Sequence, residues 1–159
     1  MRFTLSSGTL NARLQSLSKV INSKNSIPIL DSFLFEVSNN ELKITASDNE
    51  NVMTSSVTLD QCDGEGSFAV PNRTILDAVK ELPEQPLSFD VDTEALTIKI
   101  LYQNGMYNFT AQNADEYPHT QTVPDSATVI TIESTAFINN ITRSLFATAQ
   151  DELRPVMND

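Results

Sequence analysis

The stretch Phe3-Thr-Leu-Ser-Ser-Gly-Thr-Leu-Asn-Ala-Arg-Leu-Gln-Ser-Leu17 decides the fold, because the chain writes it again as Phe68-Ala-Val-Pro-Asn-Arg-Thr-Ile-Leu-Asp-Ala-Val-Lys-Glu-Leu82. A shift of 65 residues, with no gap, lays Phe3, Leu5, Thr9, Leu10, Leu14 and Leu17 on Phe68, Val70, Thr74, Ile75, Val79 and Leu82. Both copies open with strand alternation and pass into apolar residues at helical spacing. A shift of 127 lays Phe3, Thr4, Leu5, Ser7, Leu10 and Leu14 on Ile130, Thr131, Ile132, Ser134, Phe137 and Ile141, and Pro28, Ile29 and Leu30 on Pro155, Val156 and Met157. A supersecondary unit repeated in this way cannot bury its apolar face alone and needs copies beside it. The spacing therefore predicts one domain of two units over 1–122, a connection over 123–128, and over 129–159 the opening of a second domain that is not completed.

Within the first unit, Arg2 to Ser6 alternates as a strand, and Ser6 or Ser7 can cap the following helix by accepting a backbone N–H. Leu10, Leu14, Leu17 and Ile21 make one apolar stripe over about three turns. The opposite face holds Ala12, Gln15, Ser16 and Lys19, with Arg13 on its flank. Ser32-Phe-Leu-Phe-Glu-Val and Glu41-Leu-Lys-Ile-Thr-Ala read as strands joined by the tight Asn39-Asn40 turn, whose residues tolerate positive φ. Residues 51–59 complete a three-strand meander. The second unit runs from a strand at 66–70 through Pro71-Asn72 into a helix over 73–82, which Pro83 and Pro86 close, and then into three more strands. The predicted class is α+β, with twice strand, helix and three strands, antiparallel sheets and two helices on one face. Residues 112–128, with Pro118 and Pro124, read as extended.

A net charge of -11 ordinarily argues against nucleic acid, since an acidic surface repels a phosphate backbone. Its distribution argues otherwise. Residues 1–30 hold Arg2, Arg13, Lys19 and Lys24 and no acid, and between Ser134 and Gln150 the only charge is Arg143. Helices spared of acid are expected where helices share a face that something anionic approaches. The alternative is that these helices simply pack against a protein partner.

Catalysis is poorly supplied. His119 is the only histidine and follows Pro118, so a nucleophile–His–carboxylate relay has one place to be built. Asp90-Val-Asp92-Thr-Glu94 falls where a hairpin must turn, and Asp48-Asn-Glu50-Asn lacks both the glycine and the final Glu of a calcium loop. With four glycines in all, no glycine-rich phosphate loop exists, and no metal or cofactor is expected. Cys62 is the only cysteine and sits in the polar turn Asp60-Gln-Cys-Asp-Gly-Glu, so an intrachain disulfide framework is excluded. The opening residues lack a secretory core and no apolar run approaches the roughly 20 residues of a membrane span. A cytoplasmic, non-enzymatic protein is expected.

Four segments carry a resemblance: Lys24-Asn-Ser-Ile-Pro28-Ile-Leu30, Val70-Pro71-Asn-Arg73, Ala114-Asp-Glu-Tyr-Pro118 and Asp151-Glu-Leu-Arg154-Pro155-Val-Met157. In order and over the whole chain, they resemble the bacterial sliding clamps, the beta subunits of DNA polymerase III. The resemblance implies a DNA-clamp fold and a ring of two head-to-tail subunits, each with three similar domains, closed around duplex DNA. It also implies attachment to polymerase and clamp loader. This chain then looks like the first domain and the start of the second. Lys24 matches a loop position that is commonly basic and touches DNA, and Gln150 matches the polar loop after the third helix. Tyr107 matches an apolar or aromatic position on the edge strand that docks onto the partner subunit, with Arg73 and Thr74 near the same interface. The other reading of Tyr107 is a core aromatic on an ordinary strand. Arg154 and Met157 match the first wall of the peptide cleft. Thr74, Asn104 and Met106 stand where some members place basic residues, which weakens the ionic part of that interface. If Arg13, Lys19 and Lys24 are the phosphate contacts of this domain, the salt slope is about -3, taking roughly 0.9 per phosphate. Binding of that strength holds by topology rather than by affinity.

Overall fold

The computed structural model describes residues 1–21, 27–48, 50–118, 124 and 126–148. It divides into two compact units, Met1–Thr120 and Gln121–Asp159, each taken here by itself.

In the first unit, β1 (Arg2–Ser6) leads into α1 (Ser7–Leu17), followed by β2 (Ser32–Ser38), β3 (Glu41–Ser47), β4 (Val52–Thr58) and the short β5 (Gln61–Asp63). Then β6 (Gly66–Pro71) leads into α2 (Asn72–Lys80), followed by β7 (Pro86–Asp92), β8 (Thr97–Tyr102) and β9 (Gly105–Thr110). The strands form two antiparallel sheets, in the order β5-β1-β7-β8-β9 and β4-β3-β2-β6. The repeat explains this order. Each opening strand pairs with the meander of the other half: β1 with β7, and β6 with β2. Each meander then sends its tail back to its own opening strand. Gln61 pairs with Thr4 through β5, and Gln112 bridges Ala69, which lies 65 residues on from Thr4. Each meander pairs within its own half, but each sheet is completed by the opening strand of the other.

The core follows the same exchange. Phe3 faces Phe89 across β1 and β7, and their rings stack at 4.7 Å; Phe35 faces Phe68 across β2 and β6 at 5.3 Å. The equivalent pair Phe3 and Phe68 meets between the sheets at 6.5 Å. Leu10, Leu14 and Leu17 of α1 and Ile75 and Val79 of α2 are buried against this core. Burying a side chain of that size stabilises by roughly 1.5–3 kcal/mol.

The helix α1 stops at Leu17 instead of carrying its stripe on to Ile21. Serine hydroxyls compete for its last carbonyls: Ser16 donates to Ala12 O (3.0 Å) and Ser18 to Gln15 O (2.9 Å). The backbone tightens accordingly, with Val20 donating to Leu17 O and Ile21 to Ser18 O. At the other end Ser6 caps the helix, its hydroxyl accepting from Thr9 N at 3.0 Å. Asn39 and Asn40 turn the hairpin at φ 51° and 61°, as their residue type allows. The acidic stretch around Cys62 is not only a turn, since β5 forms inside it with Cys62 opposite Phe3. Residues 112–118 are likewise not an extended linker. Gln112 joins β6, Ala114–Glu116 form a single 3-10 turn, and Tyr117 is buried beside Ile29, Leu30 and Ala69. Burial pushes the Tyr117 phenol up to about 12.

In the second unit, α3 (Ser134–Ser144) occupies the positions of α1 shifted by 127. No strand forms over 128–133, where the repeat places one, because a strand needs a neighbour for its backbone groups and none is described in this unit.

Candidate nucleic-acid interface and docking edge

The helices α1 and α2 run antiparallel. Ser18 and Ile21, past the end of α1, line a cavity of about 490 Å³ with Pro71, Asn72 and Arg73 at the start of α2. Farther along, Ala12, Gln15, Ser16 and Lys19 line a groove of about 670 Å³ with Leu76, Asp77 and Lys80. Arg13 and Lys19 are exposed, and among the described residues neither forms an ion pair. Lys80 stands 3.8 Å from Glu81, both well exposed, a contact worth little. Because α1 ends early, Lys19 projects from the turn after the helix rather than from its face.

One expectation fails here. The helices as a class are not spared of acid, because Asp77 of α2 lines the same groove as Lys19 and Lys80. Among the described helices α1 and α3 carry no acid, whereas α2 carries Asp77. The residue pattern of 73–82 already contained Asp77, and a helix-by-helix count finds it. Lys24, Gln150, Arg154, Met157 and His119 all lie outside the described residues.

Of the two sheet edges that β5 and β9 form, β9 is the long one. Tyr107 lies on its core-facing side, half-buried, opposite Ile100, and stacks with Tyr102 at 5.1 Å and with Phe109 at 5.9 Å. The ring packs partly against the core and is still partly exposed on the edge strand. Desolvation, and then Tyr102, hold its phenol above the ordinary value. Gly105 leaves room for this row, since a Cβ there would meet Tyr102 Oη at 2.7 Å and push the ring aside. The aromatic companions Tyr102 and Phe109 were not singled out by the sequence reading, although Tyr102, five residues back across the hairpin, and Phe109, two residues on along the same strand, carry the signal. On the outward face Leu101 and Met106 form an exposed cross-strand pair. Arg73 and Thr74 are exposed in the first turn of α2, two residues beyond Pro71. The bridge from Gln112 to Ala69 brings that end of β6 beside the continuation of β9.

The carboxylates of the acidic turns bond to their own backbone. Asp48 Oδ1 accepts from the N–H groups of Glu50 and Asn51, which lowers its carboxyl, chiefly through Asn51. Asp92 Oδ1 likewise accepts from the N–H groups of Glu94 and Ala95. Their oxygens close turns, and among the described residues no three His, Cys, Asp or Glu side chains gather as ligands.

The sequence matches the family model of the DNA polymerase III beta subunit, N-terminal domain, over residues 1–121. The chain belongs to this family. Among curated beta sliding clamps it is 28% identical to that of Bacillus subtilis over 164 residues and 29% identical to that of Pseudomonas putida over 160. These alignments take in 99% of this chain but only 43% and 42% of those proteins, so the chain spans less than half the length of the relatives it matches. The crystal structure of the Bacillus subtilis sliding clamp aligns with a TM-score of 0.87 at 26% identity, covering 98% of this chain and 42% of that one. A Pseudomonas aeruginosa clamp aligns at 0.89 and 24% identity over 99% of this chain and 42% of its own, a likeness of fold. The α+β clamp fold is thus the fold of this chain, and no helix among the described residues is long and apolar enough to cross a membrane.

Proposed function

We propose that this chain is the first domain, with the opening of a second, of a sliding clamp that encircles duplex DNA and tethers a replicative polymerase. It acts in the cytoplasm, without catalysis and without a cofactor. The observation that carries this reading is the family match over residues 1–121 on a domain that presents Arg13 of α1 and Lys19 of the turn after it to solvent, with no ion pair to either among the described residues. Arg13, Lys19, Lys24 and Gln150 meet phosphate; Tyr107, Arg73 and Thr74 belong to the edge that closes the ring; Arg154 and Met157 begin the cleft for polymerase and clamp-loader peptides.

Magnitude favours holding by topology. Two or three cations per domain, opposed by Asp77, neutralise too few phosphates to bind tightly, with a slope of roughly 0.9 per phosphate. The test is retention of a ring built on this chain on closed circular DNA against the same circle linearised. Loss from the linear form alone supports the reading, whereas equal behaviour on both favours a protein-binding module. Within that ring, Tyr107→Ala weakens subunit association by about 2 kcal/mol or more, read from the dimer dissociation constant. Lys24→Ala leaves the melting temperature unchanged and shrinks the salt slope of DNA binding by about one unit.

A further inference from the structure

Not every buried side chain of the unit Met1–Thr120 belongs to the main core. Ile29, Leu30, Ala69 and Tyr117 form a second, smaller cluster, with Ile27 and Leu34 packed against it. A satellite cluster under a connecting segment holds few apolar contacts and opens at lower free energy than the core it borders. This one lies under residues 112–118, which lead from β9 toward the second unit.

That segment is attached at its two ends. At Gln112 the backbone exchanges two bonds with Ala69, at 2.8 and 3.0 Å, and the side-chain Oε1 accepts from Ser32 Oγ at 2.6 Å. Beyond Gln112 the described bonds stay inside the segment. Asn113 accepts from Asp115 N through its side chain and from Glu116 N through its backbone, and Ala114 O accepts from Tyr117 N. Asn113, Asp115 and Glu116 are exposed. The far end is held by Tyr117, 3% exposed, which shares its cluster with Ile29 and Leu30 of the 3-10 turn Pro28–Asp31. That turn also closes on itself, Leu30 N donating to Ile27 O at 3.1 Å, so both pieces rely on one small core. The latch is weakened by its own hydroxyl, which is buried and has no hydrogen-bond partner among the described residues. The backbone of Ser47 lies near it and lowers its phenol against the larger effect of burial, but outside hydrogen-bond geometry. A buried hydroxyl in that state offsets part of what burying the ring contributes.

We infer that residues 112–118 and the turn Pro28–Asp31 open together as one unit while the sheets and helices stay closed, with Tyr117 as the latch. Each residue released adds up to about 3.3 Å to the connection, so the second unit gains reach without either unit unfolding. This device belongs to the fold and stands or falls separately from the ring reading.

The test is amide exchange of the 159-residue chain under native conditions, over a series of low urea concentrations. The Leu30, Glu116 and Tyr117 amides should share one protection factor, at least tenfold below those of Ile44 and Ile100 in the inner strands β3 and β8, and should respond less to urea. Tyr117→Ala should leave the Leu30 and Glu116 amides unprotected while Ile44 and Ile100 stay protected, and small-angle scattering should show a longer maximum dimension. Tyr117→Phe keeps the ring and removes the hydroxyl, so it should slow exchange at Leu30 and Glu116 by roughly tenfold. Exchange of Leu30 and Tyr117 with the protection and urea response of Ile44 overturns the inference, because the segment then opens only with the whole domain. So does protection of Leu30 that survives Tyr117→Ala, or faster exchange in Tyr117→Phe, which makes the hydroxyl a bonding group. An unchanged maximum dimension in Tyr117→Ala removes the gain in reach and overturns it as well.

Discussion

The helices α1 and α3 have the same length, start at equivalent positions and carry apolar residues in the same register, yet one is sealed and the other bare. Leu10 and Leu14 are 0% exposed, while their counterparts Phe137 and Ile141 stand 50% and 46% exposed. Both are capped at the same place, α1 by the Ser6 hydroxyl and α3 by the Glu133 carboxylate. The comparison separates two contributions to a helix. Local sequence specifies the element and its ends, but burial comes from the exchanged meander of a sister unit, which α1 has and which is not described for α3.

The largest effect expected from this difference is on truncating one buried methyl cluster. Leu14→Ala removes side-chain volume from a site sealed between α1 and the paired phenylalanines, and should lower unfolding stability by about 3 kcal/mol. Ile141→Ala, the same change at the equivalent position of α3, should cost no more than about 0.5 kcal/mol. Denaturant unfolding of the two variants side by side measures both. Comparable losses would show that α3 is packed in solution and would break the comparison.

How much was legible follows from the same division. The repeat predicted the helices α1, α2 and α3 because apolar spacing is a local signal, whereas the exchange of strands between the halves depends on pairing that spacing does not encode. The repeat could not place β5 or the Gln112 bridge, because both are short, polar returns whose only reason is a partner strand 43 to 61 residues away in sequence. The end of α1 was missed because Ile21 continued the apolar spacing while serine hydroxyls at 16 and 18 quietly ended the backbone pattern. For the candidate interface, the edge strand was legible from Tyr107, but its stacking partners were not, since stacking depends on hairpin register. The charge pattern of 1–30 was legible, and the acid at Asp77 was averaged away by treating the helices as one class.

A smaller effect sharpens the comparison at the helix starts. The Ser6 hydroxyl accepts from Thr9 N and also donates to Glu84, whose carboxylate lies where a Cβ on Gly8 would be. Ser6→Ala removes the cap and should cost about 1 kcal/mol of stability for the first unit. Chemical denaturation reads it, and no change would mean that Glu84 alone holds the first turn.

The smallest effect is a pH dependence that only one of the two caps possesses. Glu133 accepts from the N–H groups of Ala136 (2.6 Å) and Thr135 (2.9 Å), and these bonds, Ala136 first, hold its carboxyl below the ordinary value of 4.5. A carboxyl lowered in the folded state favours folding above its unfolded value and loses that contribution as pH falls through the folded one. The α3 cap should therefore be intact at neutral pH and release below about 4.5, with the Thr135 and Ala136 amides exchanging faster. Thr9 N bonds to a hydroxyl that has no proton to gain, so its exchange should follow only the general pH trend. Glu133→Gln keeps an acceptor but removes the titration, and it should flatten the acid response of α3 alone. If both caps loosen together on acidification, the two helices share a common acid-sensitive event and the carboxylate at position 133 is not its cause.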